Sequence, residues 1–599
     1  MKRILLLLIC AALILPMALV GCGKNNGEGE QTDVIEPTEE PTETEKTPDS
    51  TDKKPSGSSS KPKEQPAFSA KRMFIGEQGA RYLKIVGDLE NASIGYAASE
   101  FEEYMLKMGF YFKETGLAVN LGLDETLHED GYRIEATTEA ITIVGGSGRG
   151  VIYGVYGFLT KYAGVKFLTP EIEYCDDVDI KLEDNMSYTY TPVFDLRQID
   201  WYSGRLSQEW MVKNGINCCE WNPNFPESLG GSKNYGGLSV HTLGTLTGTS
   251  HGSQPCLSDP ENLEKAIAYV RNVLETKPET NIVSVSQNDN QNYCKCEKCA
   301  AVDAEEGSPS GTLLRFVNAV AADIAEDYPN VTVDTLAYQY TQKAPAITKP
   351  LPNVCIRLCP INCHFTRTLD DPTCDVNAAF CKDLLEWSEI CENIYIWDYT
   401  NNYRYSIPTF PNFGVLRENM AFFADHNVTG MFPEGNYYSA SGEFGELRAY
   451  LLAKLMMDPY MSEKEYSEHM NDFLKGYYGA GWVNIRVYID AVTAAATDCQ
   501  GIYDTPFESI SYEFYESIET VFDLLWDNAQ ELAGSKADNV KRSRLQWRYI
   551  KLCLHPNDKD ARSFARDVTR YNVYWHEGGS SNLSSDVDFS KTPLKWYCQ

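Results

Sequence analysis

Three acidic residues stand just past β-rich runs of the chain: Asp289 after 282–286, Asp398 after 394–397 and Glu434 after 428–432. Two carboxyl groups held on one rim can divide labour. One donates a proton to a leaving oxygen while the other activates water or attacks carbon. Asp398 and Glu434 follow neighbouring runs and form the expected working pair, with Asp289 as an alternative acid. Each also fits a plain structural role as a loop cap or the partner of an arginine. Arg197, His241, Asn290, Tyr340 and Trp397 fall at or near comparable run ends and are the expected substrate-binding residues, with Trp201 as a further stacking platform. A second chemistry is carried by Cys294-x-Cys296-x-x-Cys299. Three thiols this close suit a tetrahedral structural zinc with Cys256 as fourth ligand; disulfides and free thiols are the alternatives. Zinc there would staple the loop bearing Asp289, and catalysis itself is expected to need no cofactor. Cys355, Cys359, Cys363 and Cys374 form a looser cluster whose spacing is not diagnostic.

The elements that must position these groups read as α/β. Candidate strands fall at 193–199, 216–221, 239–243, 282–286, 331–338, 354–358, 394–397 and 428–432. Amphipathic helical stretches separate many of them, the pattern of a parallel (β/α)8, TIM-like barrel over 190–457. Active sites of such barrels lie at the C-terminal ends of the strands, which is why the run ends matter. Residues 69–185 read as a small α/β domain, in which a glycine-rich turn at 145–150 matches neither a P-loop nor a dinucleotide fingerprint. Residues 458–599 read as an α-helical domain without a catalytic signature.

The 599-residue chain begins Met1-Lys2-Arg3, continues through an apolar run to Val20 and reaches Gly21-Cys22. A basic start, a short apolar stretch and small residues describe a secretory signal over 1–22. Residues 23–68 are rich in Glu, Thr, Pro, Ser and Lys and are expected to form a disordered tether. The formal net charge is −32, from 53 Lys plus Arg against 85 Asp plus Glu. That excludes a basic footprint for nucleic acid and a basic face for anionic lipid.

Several blocks resemble known families. Leu19-Val-Gly-Cys22 resembles the bacterial lipobox, which implies lipidation of Cys22 and an extracytoplasmic protein anchored to the membrane only through lipid. Gly131-Tyr-Arg-Ile, Ile141-Thr-Ile-Val-Gly-Gly, Gly150-Val-Ile-Tyr-Gly-Val-Tyr-Gly-Phe158 and Val165-Lys-Phe-Leu-Thr-Pro170 resemble the N-terminal domain of family 20 hexosaminidases and of α-glucuronidases. Ser286–Ala453 resembles domain-of-unknown-function family 4838, through Ser286-Gln-Asn-Asp-Asn-Gln-Asn-Tyr-Cys294, Glu306-Gly-Ser-Pro-Ser-Gly-Thr-Leu-Leu-Arg315 and Ile394-Tyr-Ile-Trp-Asp-Tyr399. This company implies a glycoside hydrolase acting on oligo- or polysaccharide, α-glucuronidase-like or hexosaminidase-like, or a carbohydrate-binding barrel without catalysis. Phe194-Asp-Leu-Arg197 resembles the first barrel strand of family 20, which implies that Arg197 binds sugar hydroxyls. Where that family carries an Asp-Glu pair, this chain reads Asn288-Asp289-Asn290, so the hexosaminidase mechanism is not implied.

Overall fold

The computed structural model describes residues 68–579. The expected signal, the lipidation site at Cys22 and the tether to residue 67 lie outside the described residues. Among those described, no helix is long and apolar enough to cross a membrane.

Six parallel strands run side by side in the order Leu196–Arg197, Val428–Glu434, Ile394–Tyr399, Val354–Leu358, Thr332–Ala337 and Ile282–Ser284. Single bridges complete the ring: Gln198 pairs with Cys218, and Tyr235 pairs with Ile282. Between them the Lys233 N–H donates to the Asn217 carbonyl at 2.8 Å. The result is an eight-stave (β/α)8 barrel. Its outer helices include Pro260–Thr276, Pro309–Ile324, Asp375–Ser388, Leu416–Ala424 and Gly445–Met457. The third stave is not at 239–243 as the pattern predicts. It is the single bridge at Tyr235, after which Gly237 adopts φ +97 and the chain leaves the ring. Residues 242–243 instead hydrogen-bond to the Ser286 carbonyl and start a short helix, Leu243–Thr247.

Strand side chains alternate between the two faces of a sheet, so one inward residue fixes the rest of its strand. Leu196, Cys218, Ile282, Cys355 and Tyr395 form one buried cluster across the barrel interior, with Tyr235 packed against it. Gly430, paired with Leu196, belongs to the same level; a Cβ there would lie 2.4 Å from the Tyr395 ring. One level up, Arg357 forms a buried ion pair with Asp334. Its guanidinium lies over the rings of Tyr235 and Trp397. At the C-terminal ends come Leu336, Cys359, Tyr399 and Glu434.

The same alternation corrects the expectation for Arg197. Its neighbour Leu196 points inward, so Arg197 points out of the barrel and is fully buried against the N-terminal α/β part. There Asp130 accepts hydrogen bonds from Arg149 Nε at 2.6 Å, Arg197 Nη2 at 2.5 Å and Asn217 Nδ2 at 2.9 Å. Arg197 also donates to the carbonyls of Gly215 and Phe194. Burial alone would raise the Asp130 pKa, but Arg149 and Arg197 outweigh it and hold the carboxyl well below the usual range. All three guanidinium nitrogens of Arg197 are thus engaged in joining two layers of the molecule, outside the barrel interior.

Asp130 lies in the N-terminal part, whose six-stranded sheet has the order Met186–Tyr190, Tyr132–Ala136, Ala140–Gly145, Leu117–Leu123, Tyr82–Val86, Tyr111–Phe112. The glycine-rich turn is closed by protein: a Cβ on Gly146 would lie 2.0 Å from the His128 carbonyl. The Glu306…Arg315 block is likewise structural. Buried Glu306 accepts from the Ile347 and Thr348 N–H groups, each at 3.0 Å, and from Arg315 Nε at 2.8 Å.

After the barrel come the helices Glu463–Tyr478, Trp482–Ala495, Tyr512–Leu532, Ala537–Ser543, Leu545–Leu554 and Asp558–Arg570. The pattern predicts the last one to run on to 576. It stops at Arg570, and Asn572 takes a left-handed φ of +51 that turns the chain away.

Replacing Asp130 with Asn leaves two buried guanidinium groups without their carboxylate. The expected outcome is a loss of about 3–5 kcal/mol, read as a lowered midpoint of denaturant unfolding. A change within experimental error would show that the pair does not hold the layers together.

Candidate active site

The C-terminal ends of the staves open into a cavity of about 200 Å³ lined by three carboxyl groups, Glu434, Asp289 and Glu577. The aromatic residues Trp397, Tyr338, Tyr399, Tyr403 and Tyr503 wall it, with His241 at one side and Leu336, Cys359 and Ile361 as apolar surface. Among the described residues, no Lys or Arg lines it.

Glu434 ends its strand in register with Tyr399 of the neighbouring strand. The Trp397 indole N–H donates to Glu434 Oε2 at 2.7 Å. Burial lifts the Glu434 pKa to about 7. The Trp397 hydrogen bond and the Tyr403 hydroxyl pull the other way, while Glu577 and Glu220 add to the rise. Across the seam Asp200 bridges Glu434 through the backbone. Burial, then the charges of Glu220 and Glu434, push its carboxyl well above the usual range. Water is too scarce here, and like charges too many, for all these groups to ionise together.

Asp289 sits on the exposed loop after the fourth stave, and the Tyr338 hydroxyl donates to it at 3.4 Å. His241 adopts a left-handed φ of +54, an uncommon conformation for a residue with a Cβ. Its Nδ1 lies 2.8 Å from the Gln287 carbonyl, so Nδ1 is the donor of that bond.

Asp289, Glu434, His241 and Trp397 are thus brought together. Asp398 is not. It pairs in register with Pro433, one step from the Tyr399–Glu434 pair, and alternation turns its side chain to the opposite face. It accepts the Tyr399 N–H at 2.9 Å and is raised to about 6 by burial. Tyr340 lies beyond its strand in a 3-10 turn and stacks on Tyr293 at 4.6 Å, in a smaller recess next to Cys294 and Cys299. Tyr338, two residues earlier and in phase with Leu336, takes the place expected for it. Asn290 braces its own loop by donating to the His251 carbonyl at 2.9 Å. Trp201 is buried beneath Gly435.

Glu577 comes from the region read as free of catalytic signal. After the turn at Asn572 the chain runs as a strap back over the barrel mouth. Tyr574 N–H donates to Ser439 Oγ at 3.0 Å and Glu577 N–H to the Tyr403 carbonyl at 2.8 Å. Burial raises the Glu577 carboxyl, which accepts the Tyr438 hydroxyl at 3.1 Å. Tyr503 arrives on the loop between two C-terminal helices. No periodicity marks either residue, because both lie outside regular elements.

The four cysteines converge as a separate cluster. The ligand atoms of Cys256, Cys294, Cys296 and Cys299 all lie within 4.8 Å of one another. Cys256 Sγ is 3.8 Å from the sulfurs of both Cys296 and Cys299. A larger cavity, about 500 Å³, lies wholly within residues 523–571. Its cations are already paired, Arg544 with Asp527, Arg548 with Asp567 and Lys551 with Asp523.

Fold and site together define a (β/α)8-barrel protein with an acid-lined, aromatic-walled cavity at the strand ends. The chain belongs to the family described as Domain of unknown function (DUF4838), whose model matches residues 167–490. No curated protein matches the sequence. Among solved structures, a GH138 enzyme targeting pectin rhamnogalacturonan II is 10% identical with a TM-score of 0.42, covering 86% of this chain and 98% of that one. CpGH84B is 11% identical with a TM-score of 0.42 over 81% and 91%. The Flavobacterium johnsoniae chitobiase FjGH20 is 9% identical with a TM-score of 0.43 over 83% and 94%.

Proposed function

We propose that this protein is a cell-surface glycoside hydrolase, held to the membrane by lipid on Cys22, that cleaves a neutral sugar from an oligo- or polysaccharide. The observation that carries the reading is the convergence of Glu434 and Asp289 on one aromatic-walled cavity at the strand ends. Glu434, its pKa lifted by burial to about 7, holds a proton in about half of the molecules at neutral pH and is the general acid that protonates the leaving oxygen. Asp289 is the exposed carboxylate that activates water or attacks the anomeric carbon. Tyr338, Tyr399, Tyr403 and Tyr503 offer ring faces to a sugar, and His241 offers its imidazole to a hydroxyl. A uronic acid is disfavoured: among the described residues three carboxyls line the cavity without a Lys or Arg, and Arg197 is engaged elsewhere.

The test is a panel of neutral and uronic oligosaccharides. Wild-type protein is expected to release neutral sugar. Glu434→Gln is expected to lower turnover by roughly 10²–10⁴-fold, with the smallest loss on aryl glycosides whose leaving group needs no proton. Asp398→Asn is expected to cleave nearly as well as wild type. Binding without cleavage by the wild type would overturn the enzyme reading in favour of a carbohydrate-binding surface protein.

The four-thiol cluster supports a second, structural proposal, a tetrahedral zinc that fixes the loop carrying Asp289. With Zn–S bonds of about 2.3 Å, tetrahedral geometry places sulfurs roughly 3.8 Å apart, matching the separations from Cys256 to Cys296 and Cys299. Disulfides would need sulfurs about 2.05 Å apart. Elemental analysis is expected to show that Cys296→Ser removes one zinc per chain; an unchanged zinc content would contradict the site.

A further inference from the structure

We propose that His364, Cys374 and Cys499 form a second binding site for a zinc-class divalent ion, joining the barrel to the C-terminal helices. Their ligand atoms all lie within 4.8 Å of one another. His364 Nδ1 is 3.2 Å from Cys374 Sγ, and Cys374 Sγ is 3.8 Å from Cys499 Sγ. Around one tetrahedral ion, with bonds of about 2.3 Å to sulfur and 2.0 Å to nitrogen, the corresponding edges are roughly 3.8 Å for S···S and 3.5 Å for S···N. Two thiolates with one imidazole are a donor set for zinc rather than for calcium or magnesium, which take oxygen ligands.

The three residues are held in place by contacts that owe nothing to a metal. Fully buried Asn377 clasps the His364 backbone on both sides, accepting its N–H at 2.8 Å and donating to its carbonyl at 3.0 Å. Cys374 caps the helix Asp375–Ser388, so its position is set by the start of that element. Cys499 lies 125 residues further on, in the loop between Trp482–Ala495 and Tyr512–Leu532. That loop is fastened beside His364: the Phe365 N–H donates to the Gln500 carbonyl at 2.9 Å and Thr366 Oγ1 to the Asp498 carbonyl at 2.9 Å. His364 and Cys499 are each half-buried, which leaves the fourth coordination position to water.

The site has a mechanical consequence. The loop that supplies Cys499 also carries Tyr503, a wall of the cavity, and docks on the seventh-strand loop through the Ile502 carbonyl, which accepts the Tyr403 N–H at 2.9 Å. An ion at 364, 374 and 499 fixes this loop to the barrel. The metal site does not depend on the glycosidase reading.

The test uses the full chain, loaded with zinc alone and read by native mass spectrometry and elemental analysis. Wild type is expected to bind one more zinc than His364→Ala or Cys499→Ser. In the Cys296→Ser background the same two substitutions are expected to remove the remaining ion. Chelation of that single-site protein is expected to raise hydrogen exchange of residues 497–505 several-fold. Cobalt added to Cys296→Ser protein serves as a check if a variant fails to fold, and thiolate-to-cobalt charge-transfer absorption is expected. Zinc content indifferent to His364 and Cys499, no such absorption, or a Cys374–Cys499 disulfide in peptide mapping of protein purified without oxidant would overturn the proposal. None of these readouts involves turnover, so a failure here is distinct from a failure of the activity panel.

Discussion

The pairing of Leu196 with Gly430 closes the barrel, and the direction of every side chain around the seam follows from it. Alternation then permits no choice. Leu196 enters the interior, so Arg197 leaves it and must find a partner outside. That partner is Asp130, which locks the N-terminal sheet to the barrel through a fully buried ion pair. On the facing strand the same phase brings Glu434 to the mouth beside Trp397 and Tyr399, while Asp398 is turned to the opposite face. Gly430 is where this arrangement is tightest, because the Tyr395 ring occupies the space a Cβ would need.

Closure also determines the electrostatics. Glu434 lies where neighbouring strands, the loops above them and the strap of residues 573–579 remove most of its water. A carboxylate in such a place loses hydration that one indole N–H cannot replace, and nearby Glu577 and Glu220 repel the charge further. The outcome is a carboxyl that titrates near neutrality, lining the same cavity as an exposed one on Asp289. Two acids in unlike surroundings are what a division of labour between proton donor and charged partner requires. The strap is part of this design, since it supplies both a carboxyl and some of the burial.

Much of the barrel was legible in the sequence because its longer strands, 332–337, 354–358, 394–399 and 428–434, are apolar runs bounded by turns. The staves at Cys218 and Tyr235 are single bridges too short to leave a pattern, which is why 239–243 drew the third strand to the wrong place. Glu434, Asp289 and Trp397 were readable as residues at or just past strand ends, whereas His241 reaches the cavity from a loop beyond the third stave rather than from a strand. Arg197 and Asp398 were misplaced for a common reason: a run end identifies the rim, but only the phase of the strand says which neighbour faces in; Tyr340 was misplaced because its strand stops at Ala337 and a 3-10 turn carries it away. For Asp398 that phase follows from Tyr395 and Trp397, both inward. Glu577 and Tyr503 left no trace, because irregular segments bring them to the cavity by tertiary docking alone. Cys294, Cys296 and Cys299 were marked by their spacing and meet Cys256 from a distant loop, whereas His364, Cys374 and Cys499 are joined across a distance that spacing does not encode.

The central claim is that barrel closure keeps Glu434 protonated near neutral pH. The most direct measurement is a pH titration by infrared difference spectroscopy, wild type against Glu434→Gln. The account predicts a protonated-carboxyl stretch absent from the variant and disappearing with a midpoint near pH 7. A midpoint near the ordinary glutamate value of about 4.3 would contradict it.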